Sequence, residues 1–318
     1  MKTSVIGCGR WGSFIAWYLR GIGHEVTLYG REGSARMDEI VRTRGNGLVT
    51  FAPDVRLTRS LAQALDAEIV CVSIGSQGLR ALMAQIAAHG VRGRTFVLCM
   101  KGLEIGTGER LSQIAQQAVG AENDVAVWLG PGHVQEFAAG VPNCMVIDAQ
   151  SEAVKERLVR ELSGGLIRFY YGADLIGNEV GAAAKNVIGI AAGMLDALGV
   201  ASLKGALMSR GTREIARLID AMGGNELSAY GLCHLGDYEA TVFSPYSHNR
   251  RFGEAFVSGQ AYNELAEGYH TVRALRELAA RYGVDLSICQ TVYRVLYEGE
   301  NAQDALGALF TRSLKREF

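Results

Sequence analysis

Neither sign of charge is in excess in this chain: 32 Lys and Arg stand against 33 Asp and Glu over 318 residues, a formal net charge of -1. Global attraction to nucleic acid or to an anionic membrane therefore finds no support, although a local basic pocket stays open. The six cysteines, Cys8, Cys71, Cys99, Cys144, Cys233 and Cys289, form no C-x-x-C pair and no spacing that joins them to histidines. That argues against a disulfide framework and against a cysteine metal site. His24, His89, His133, His234, His248 and His270 show no ligand spacing either, so no metal is expected. No apolar run reaches about 18 residues without a charge, the length of a membrane span. The apolar run that follows Lys2 is too short for a signal peptide. Internal repeats and low-complexity tracts are absent as well. The expectation is a cytoplasmic protein with free thiols.

What is present is a globular composition, 48% hydrophobic and 20% charged, over a length that suits two domains. The first half alternates short β-branched runs with helical patterns. Strands are expected at TSVIG (3–7), EVTLYG (25–30), EIVCVSI (68–74), TFVLCM (95–100), VAVWLG (125–130) and NCMVID (143–148). Helical segments such as SFIAWYLRGIG and SQGLRALMAQIAAHG lie between them and close on glycine. Strands alternating with helices predict βαβ units and a buried parallel sheet. After about Tyr171 the pattern becomes helix after helix. The stretch from Asn178 to Leu198 is apolar nearly all round and is expected to be buried. Further helices are expected at 204–222, 250–258, 268–282 and 288–298. A last one should run from Ala302 to about Lys315, capped by Asn301, with Leu306, Leu309, Phe310 and Leu314 on one face. The predicted fold class is α/β: an N-terminal Rossmann-like, doubly wound, mostly parallel sheet over residues 1–172, plus a C-terminal all-helical domain over 173–318.

Gly7, Gly9 and Gly12 form G-C-G-R-W-G between the first strand and the first helix. The first glycine permits the tight turn, the second lets backbone approach a pyrophosphate, and the third allows close packing of helix on strand. Dinucleotide binding is expected there, with Arg10 in the same loop. A carboxylate ending the second strand would accept hydrogen bonds from the ribose and repel a 2′-phosphate. That strand instead ends Leu28-Tyr29-Gly30-Arg31. NADP is accordingly expected to be tolerated or preferred, with Arg31 near its phosphate; the alternative is that Glu32 reaches the ribose.

Several phrases in order, GCGRWGSFIA, SIGSQGLR, MKGLEIGTGERLS, GPGHVQEFAAGVPN, EVGAAAKNVIGIAAGMLDALG, SRGTREIARL, LGD before HNRRFGEAF, and AEGYHTVRALRELAARYGVDLSI, cover nearly the whole chain. The sequence resembles the NAD(P)-dependent glycerol-3-phosphate dehydrogenases, which interconvert dihydroxyacetone phosphate and sn-glycerol 3-phosphate and feed glycerophospholipid synthesis. The resemblance implies an oxidoreductase with NAD(P)H as cofactor, a small phosphorylated substrate and a homodimer. It gives Lys185 the role of proton donor in reduction and acceptor in oxidation. The residue chemistry agrees, because the alkoxide left by hydride transfer needs a positioned acid. Burial and a neighbouring cation would bring the pKa of this lysine towards the working range. The alternative is a simple ion pair of Lys185 with Glu179.

Lys101, in K-G-L-E at the carboxyl edge of a strand, is implied to contact substrate and cofactor, though a solvated loop lysine reads the same. Asn186, Asp237 and Thr241 are implied around the substrate, with Asp237 balancing charge and orienting Lys185; an aspartate after glycine is also an ordinary turn residue. Trp11, Val134 and Glu267 are added on the cofactor side, Glu267 being also readable as an exposed helix start. Two departures fall on the substrate side. The family's usual G-P-S is Gly130-Pro131-Gly132 here, and the arginine usual before N-R-R-F-G is His248. The stretch SPYSHNRRFG (244–253) read alone is a solvated loop. Within the resemblance it becomes the phosphate-handling edge, with Ser247 and Asn249 as donors, Asn249 also near the cofactor, and Arg250 or Arg251 adding charge. An esterase reading of Ser247, His248 and Asp237 fails, since no G-x-S-x-G turn exists.

Overall fold

The computed structural model describes residues 1–311. The chain divides into two compact units, one of Met1–Lys101 and Glu109–Glu179, the other of Gly102–Gly108 and the chain from Val180 onward. Where the sequence suggests a division after residue 172, the first turn of the long helix that follows is counted with the first unit.

Eight strands form one sheet in the first unit: β1 (Lys2–Ile6), β2 (Glu25–Tyr29), β3 (Arg56–Thr58), β4 (Ile69–Val72), β5 (Thr95–Leu98), β6 (Asp124–Leu129), β7 (Asn143–Ala149) and β8 (Ile167–Tyr171). Their order is β3-β2-β1-β4-β5-β6-β7-β8. Every neighbouring pair is parallel except β6 and β7. Helices α1 (Arg10–Gly21), α2 (Ala35–Thr43), α3 (Leu61–Ala64), α4 (Leu79–Ala88), α5 (Leu111–Val119), α6 (Val134–Ala138) and α7 (Glu152–Leu162) make the connections. β4 and β5, IVCV and TFVL, are buried at every position, which is why they read as nearly unbroken apolar runs. Two strands escape the sequence reading, and both are edges. β3 is only three residues long. β8 alternates, with Ile167 and Phe169 buried and Arg168, Tyr170 and Tyr171 exposed.

The chain winds outward from β1 in both directions, so the sheet changes direction between β1 and β4. Ile6 stands beside Tyr29 on one side and Val72 on the other. Gly7, Gly30 and Ser73 thus leave the sheet together at the carboxyl edge, where such sheets bind ligands.

The second unit is helical: α8 (Leu175–Ala197), whose first turn is counted with the sheet, then α9 (Lys204–Ala221), α10 (His248–Val257), α11 (Glu267–Tyr282), α12 (Ser287–Tyr297) and α13 (Ala302–Phe310). A π-helical turn occupies Glu239–Phe243. Among the described residues α8 alone is long and apolar enough to cross a membrane, and 89% of its apolar window is buried inside the protein. It is a core helix. Asn301 caps α13 by accepting from the amides of Gln303 and Asp304 at 2.9 and 3.1 Å. Ala305 and Leu306 are its buried residues. Phe310, expected on the same apolar face, is exposed, while Leu314 and Lys315 lie outside the described residues.

Gly181, Lys185, Gly189 and Gly193 follow one another at intervals of four along α8, so they form a single row on the helix. A Cβ on Gly181 would come within 2.9 Å of the Cβ of His234, one on Gly189 within 2.6 Å of the Thr241 methyl, and one on Gly193 within 1.8 Å of the Arg250 carbonyl. On the facing helix, a Cβ on Gly253 would lie 2.1 Å from the Ile190 carbonyl. The segment from His234 to Gly253 therefore packs against α8 almost backbone to backbone. Gly193→Ala is expected to force α10 away and to cost about 1–3 kcal/mol by overpacking, read as a lower denaturant midpoint at unchanged m-value.

Candidate active site

Gly7 has φ +113°, and a Cβ there would lie 2.1 Å from the Ser73 carbonyl oxygen. A Cβ on Gly12 would sit 2.0 Å from the Gly7 carbonyl oxygen. Both positions exclude a side chain, and together they seat the start of α1 against the end of β1. Gly9 caps α1 without bringing a side chain to its amides. Only the Arg36 guanidinium approaches where a Gly9 Cβ would be, its Nη1 3.5 Å away. This cradle, a backbone surface at a helix N-terminus, fits a dinucleotide pyrophosphate.

At the end of β2, Arg31 is exposed. Arg59 donates to the Arg31 carbonyl at 3.4 Å, pairs with Asp38, and stands 3.9 Å from the Glu32 carboxylate. Arg36 and Arg59 join Arg31 on this rim. Neither is marked by any motif, because one comes from α2 and the other follows β3.

Trp11 turns towards the core, with ring centroids 5.2 Å from Phe14, 6.1 Å from Phe137 and 6.5 Å from Trp128. Val134, the first residue of α6, is buried in the same cluster. Lys101 follows β5, and its Nζ donates to the Gly130 carbonyl at the end of β6 over 2.7 Å. The structure thus gathers Gly7, Gly9, Arg10, Trp11, Gly12, Arg31, Lys101, Gly130, Gly132 and Val134 in the first unit, at or beside the carboxyl edge of its sheet.

In the second unit Lys185 is 6% exposed and its Nζ lies 2.8 Å from Asp237 Oδ2. The same ammonium donates to Thr241 Oγ1 at 2.5 Å. Asp237, 1% exposed, closes a short 3-10 turn, Leu235–Asp237, and Thr241 lies in the π-helical turn. Glu179 is not the partner of Lys185. Its carboxylate accepts from Arg110 Nη1 at 2.5 Å and from the amide and hydroxyl of Ser112 at 2.8 and 2.6 Å. Burial raises the Glu179 pKa, and the Arg110 charge and the Ser112 bonds oppose the rise.

Asn249 Nδ2 donates to Asn186 Oδ1 at 3.0 Å, and its own Oδ1 accepts from the Gly268 amide at 2.9 Å. This relay joins α8, α10 and the start of α11, and it sets Glu267, the first residue of α11, beside Asn249. Ser247 caps α10 by accepting from the Arg250 amide at 3.3 Å. Lys185, Asn186, Asp237, Thr241, Ser247, Asn249 and Glu267 are thereby tied to one face of α8 and its neighbours.

The chain matches the family description "NAD-dependent glycerol-3-phosphate dehydrogenase N-terminus" over residues 2–155 and the corresponding C-terminus description over 174–307. It is 37% identical to the glycerol-3-phosphate dehydrogenase [NAD(P)+] of Streptomyces griseus, covering 100% of this chain and 98% of that one. It is 36% identical to the protein of the same name from Thioalkalivibrio sulfidiphilus, over 99% of this chain and 98% of that one. A solved structure, glycerol-3-phosphate dehydrogenase from Coxiella burnetii, superposes with a TM-score of 0.91 at 25% identity, covering 98% of this chain and 99% of that chain. The chain belongs to the glycerol-3-phosphate dehydrogenase family.

Against that family the two departures acquire physical causes. Gly132 has φ +137°, and a Cβ there would meet Phe137 Cε2 at 2.3 Å. A serine cannot stand in this glycerol-3-phosphate dehydrogenase fold without moving Phe137, which stacks on Phe14 at 5.0 Å. His248 Nδ1 lies 2.8 Å from the Tyr262 hydroxyl and 3.4 Å from the Glu264 carboxylate. Arg250, offered by the sequence as a substitute cation, is committed elsewhere: its Nε bonds Asp196 Oδ2 at 2.7 Å, and Lys204 holds the other carboxylate oxygen at 2.6 Å. Arg251 lies over the Tyr262 ring at 5.7 Å.

Behind Asp237, Tyr238 is fully buried, its hydroxyl 2.8 Å from His234 Nε2 and close to Glu214. Glu214 is 3% exposed and accepts from the Ile288 and Cys289 amides at 2.9 and 3.1 Å, capping α12. Burial raises its pKa to about 7, against the smaller opposing pull of those bonds. A carboxyl whose pKa is raised in the folded state stabilises fully below its unfolded value near 4.5, and the stabilisation is lost as pH rises towards 7. Relative to Glu214→Gln, the unaltered protein should therefore lose about 3 kcal/mol between pH 4.5 and 7, measured as the pH dependence of the difference in denaturant-unfolding free energy.

Proposed function

We propose that this chain reduces dihydroxyacetone phosphate to sn-glycerol 3-phosphate with NAD(P)H, reversibly, and that Lys185 exchanges the proton. The observation that carries the reading is an ammonium buried on the most apolar helix, bonded to a carboxylate 1% exposed and to a threonine hydroxyl. Burying such a charge is costly unless it is paired, and a core position gives nothing back for it. When bound, a dihydronicotinamide would supply the hydride. In the first unit Gly7, Gly9, Arg10 and Gly12 would hold its pyrophosphate, with Trp11, Val134 and Lys101 as further contacts; in the second unit Asn249 and Glu267 are assigned to the cofactor. Lys185 Nζ would give its proton to the carbonyl oxygen in reduction, and the neutral amine would take the hydroxyl proton back in oxidation. Asp237 keeps the lysine oriented and stabilises its charged form. In the first unit Lys101 and the backbone of Gly130 and Gly132 are assigned to the substrate; in the second unit Asn186 and Thr241 are assigned to its reacting end, and Ser247, His248 and Asn249 to its phosphate at the start of α10.

Arg31 and Arg36, with no carboxylate ending β2, favour NADP(H) over NAD(H). The six cysteines, none of them in a disulfide among the described residues, suit the cytoplasm. Exposed Leu227, Tyr230, Phe243 and Tyr246 offer apolar surface to a homodimer. A second reading, another small oxo phosphate or phosphonate as substrate, is favoured by Gly132 and His248.

Steady-state kinetics with both cofactors on dihydroxyacetone phosphate, alongside a panel of oxo phosphonates, separates the two. Lys185→Ala is expected to lower kcat/KM about 10³-fold while NADPH binding, followed by fluorescence, is retained. Because that change leaves a buried carboxylate unpaired, Lys185→Ala with Asp237→Asn serves as the folded control. Normal turnover in either variant removes Lys185 from the chemistry. His248→Arg should lower KM for dihydroxyacetone phosphate roughly 5–10-fold, because a guanidinium brings a permanent charge and a two-donor fork to the phosphate. An unchanged KM would mean that the phosphate is held by other groups.

A further inference from the structure

His234 and Tyr238 are buried ionisable groups with no part in the reaction just described, yet they flank both members of the Lys185 and Asp237 pair. His234 is 0% exposed. Its Nδ1 lies 2.8 Å from the Gly181 carbonyl oxygen, on α8 one turn before Lys185, and its Nε2 lies 2.8 Å from the Tyr238 hydroxyl. A carbonyl only accepts, so Nδ1 carries the ring proton and Nε2 accepts from the tyrosine. The absence of a side chain at Gly181 gives the His234 Cβ its place. His234 also opens the turn that ends in Asp237, its carbonyl accepting from the Asp237 amide at 3.1 Å.

Resting on the assignment of Lys185 as proton donor, we propose that His234 is a positioning residue: its neutral ring clamps the Leu235–Asp237 turn to α8 and so fixes the Asp237 carboxylate against Lys185 Nζ. Two tethers then join the same pair of segments, His234 to Gly181 and Asp237 to Lys185, one helical turn apart. With one tether alone the turn can pivot about the ion pair. With both, the carboxylate has a single position.

The charged and titratable groups facing the ring are Lys185 from α8, Asp237 and Tyr238 from its own segment, and, beyond Tyr238, Glu214 from α9 and Cys289 from α12. Burial is the main cause that lowers the His234 pKa to about 4, with the Lys185 charge adding to it. A ring that stays neutral does not compete with Lys185 for the Asp237 charge, which is what a clamp beside an ion pair requires.

The first test needs no turnover. Ring-nitrogen NMR of histidine-labelled protein should show His234 as the Nδ1–H tautomer, without titration between pH 5.5 and 8. The Nε2–H tautomer, or titration in that range, overturns the proposal whether or not the substrate assignment holds. The second test compares His234→Leu with His234→Asn, whose amide nitrogen can still donate to the Gly181 carbonyl. His234→Leu is expected to lower kcat about tenfold or more through misplacement of the reacting group, to displace the basic limb of the kcat pH profile, and to leave KM for NADPH unchanged. His234→Asn should recover most of kcat. Equal rates in both variants, or a loss of rate with an unmoved pH profile, would show a merely structural histidine. Should His234→Leu not fold, Tyr238→Phe takes its place: it keeps the volume, removes the donor to Nε2, and should displace the same pH limb, an unmoved limb overturning the proposal.

Discussion

A lysine ammonium in the middle of the most apolar helix sets the terms for the rest of the second unit. Lys185 is almost wholly buried, so its charge has to be met by a carboxylate at bonding distance, and Asp237 at 2.8 Å meets it. Asp237 is itself almost wholly buried, so the turn that carries it cannot relax outward to find water without leaving both charges unpaired. That turn can approach α8 closely enough because the row containing Lys185 is otherwise glycine. Gly181 admits His234, Gly189 admits the Thr241 methyl, and Gly193 admits the α10 backbone. The chemistry of one side chain and the absence of side chains at three others are one constraint, since a wider helix face would hold the carboxylate away from the amine.

The same logic explains what could be read from the sequence. The inner strands β4 and β5 were legible because strands buried on both faces must be continuously apolar, and the other four inner strands by their short β-branched runs between helical patterns. The edge strands β3 and β8 were not, one being too short to show a period and the other alternating with exposed tyrosines. Lys185 was legible because a charge inside an apolar helix conflicts with its surroundings. His234 was not, since its partners are the Gly181 carbonyl oxygen and a tyrosine hydroxyl, neither of which leaves a trace in spacing. Arg36 reaches the glycine loop from another helix, and Arg250 looked like a spare cation only because Asp196, its partner, lies 54 residues away. Glu179 shared a helix with Lys185 and still paired with Arg110, which arrives from a different element. The resemblance supplied Asp237 as the partner of Lys185, whereas the partners of Glu179, Arg250 and His234 come from tertiary placement that no local pattern marks.

On the substrate side, the departure at Gly132 and the packing of the cofactor loop have a common origin. Phe137 occupies the space a side chain on residue 132 would need, and it does so as part of the cluster that also holds Trp11 and Phe14. Moving Phe137 to admit a serine would therefore disturb the first turn of α1 as well. The proposed phosphate end lies in the second unit, at the start of α10. There the side chain at 248 is an imidazole with one nitrogen already engaged by Tyr262 and Glu264. A guanidinium can hold two phosphate oxygens at once and does so at any pH, whereas an imidazole offers no such fork and carries charge only when protonated. Glu264 stands 3.4 Å from the ring and Ser247 caps the helix that His248 opens, so the proposed phosphate end sets an imidazole, with a carboxylate beside it, at the first turn of α10.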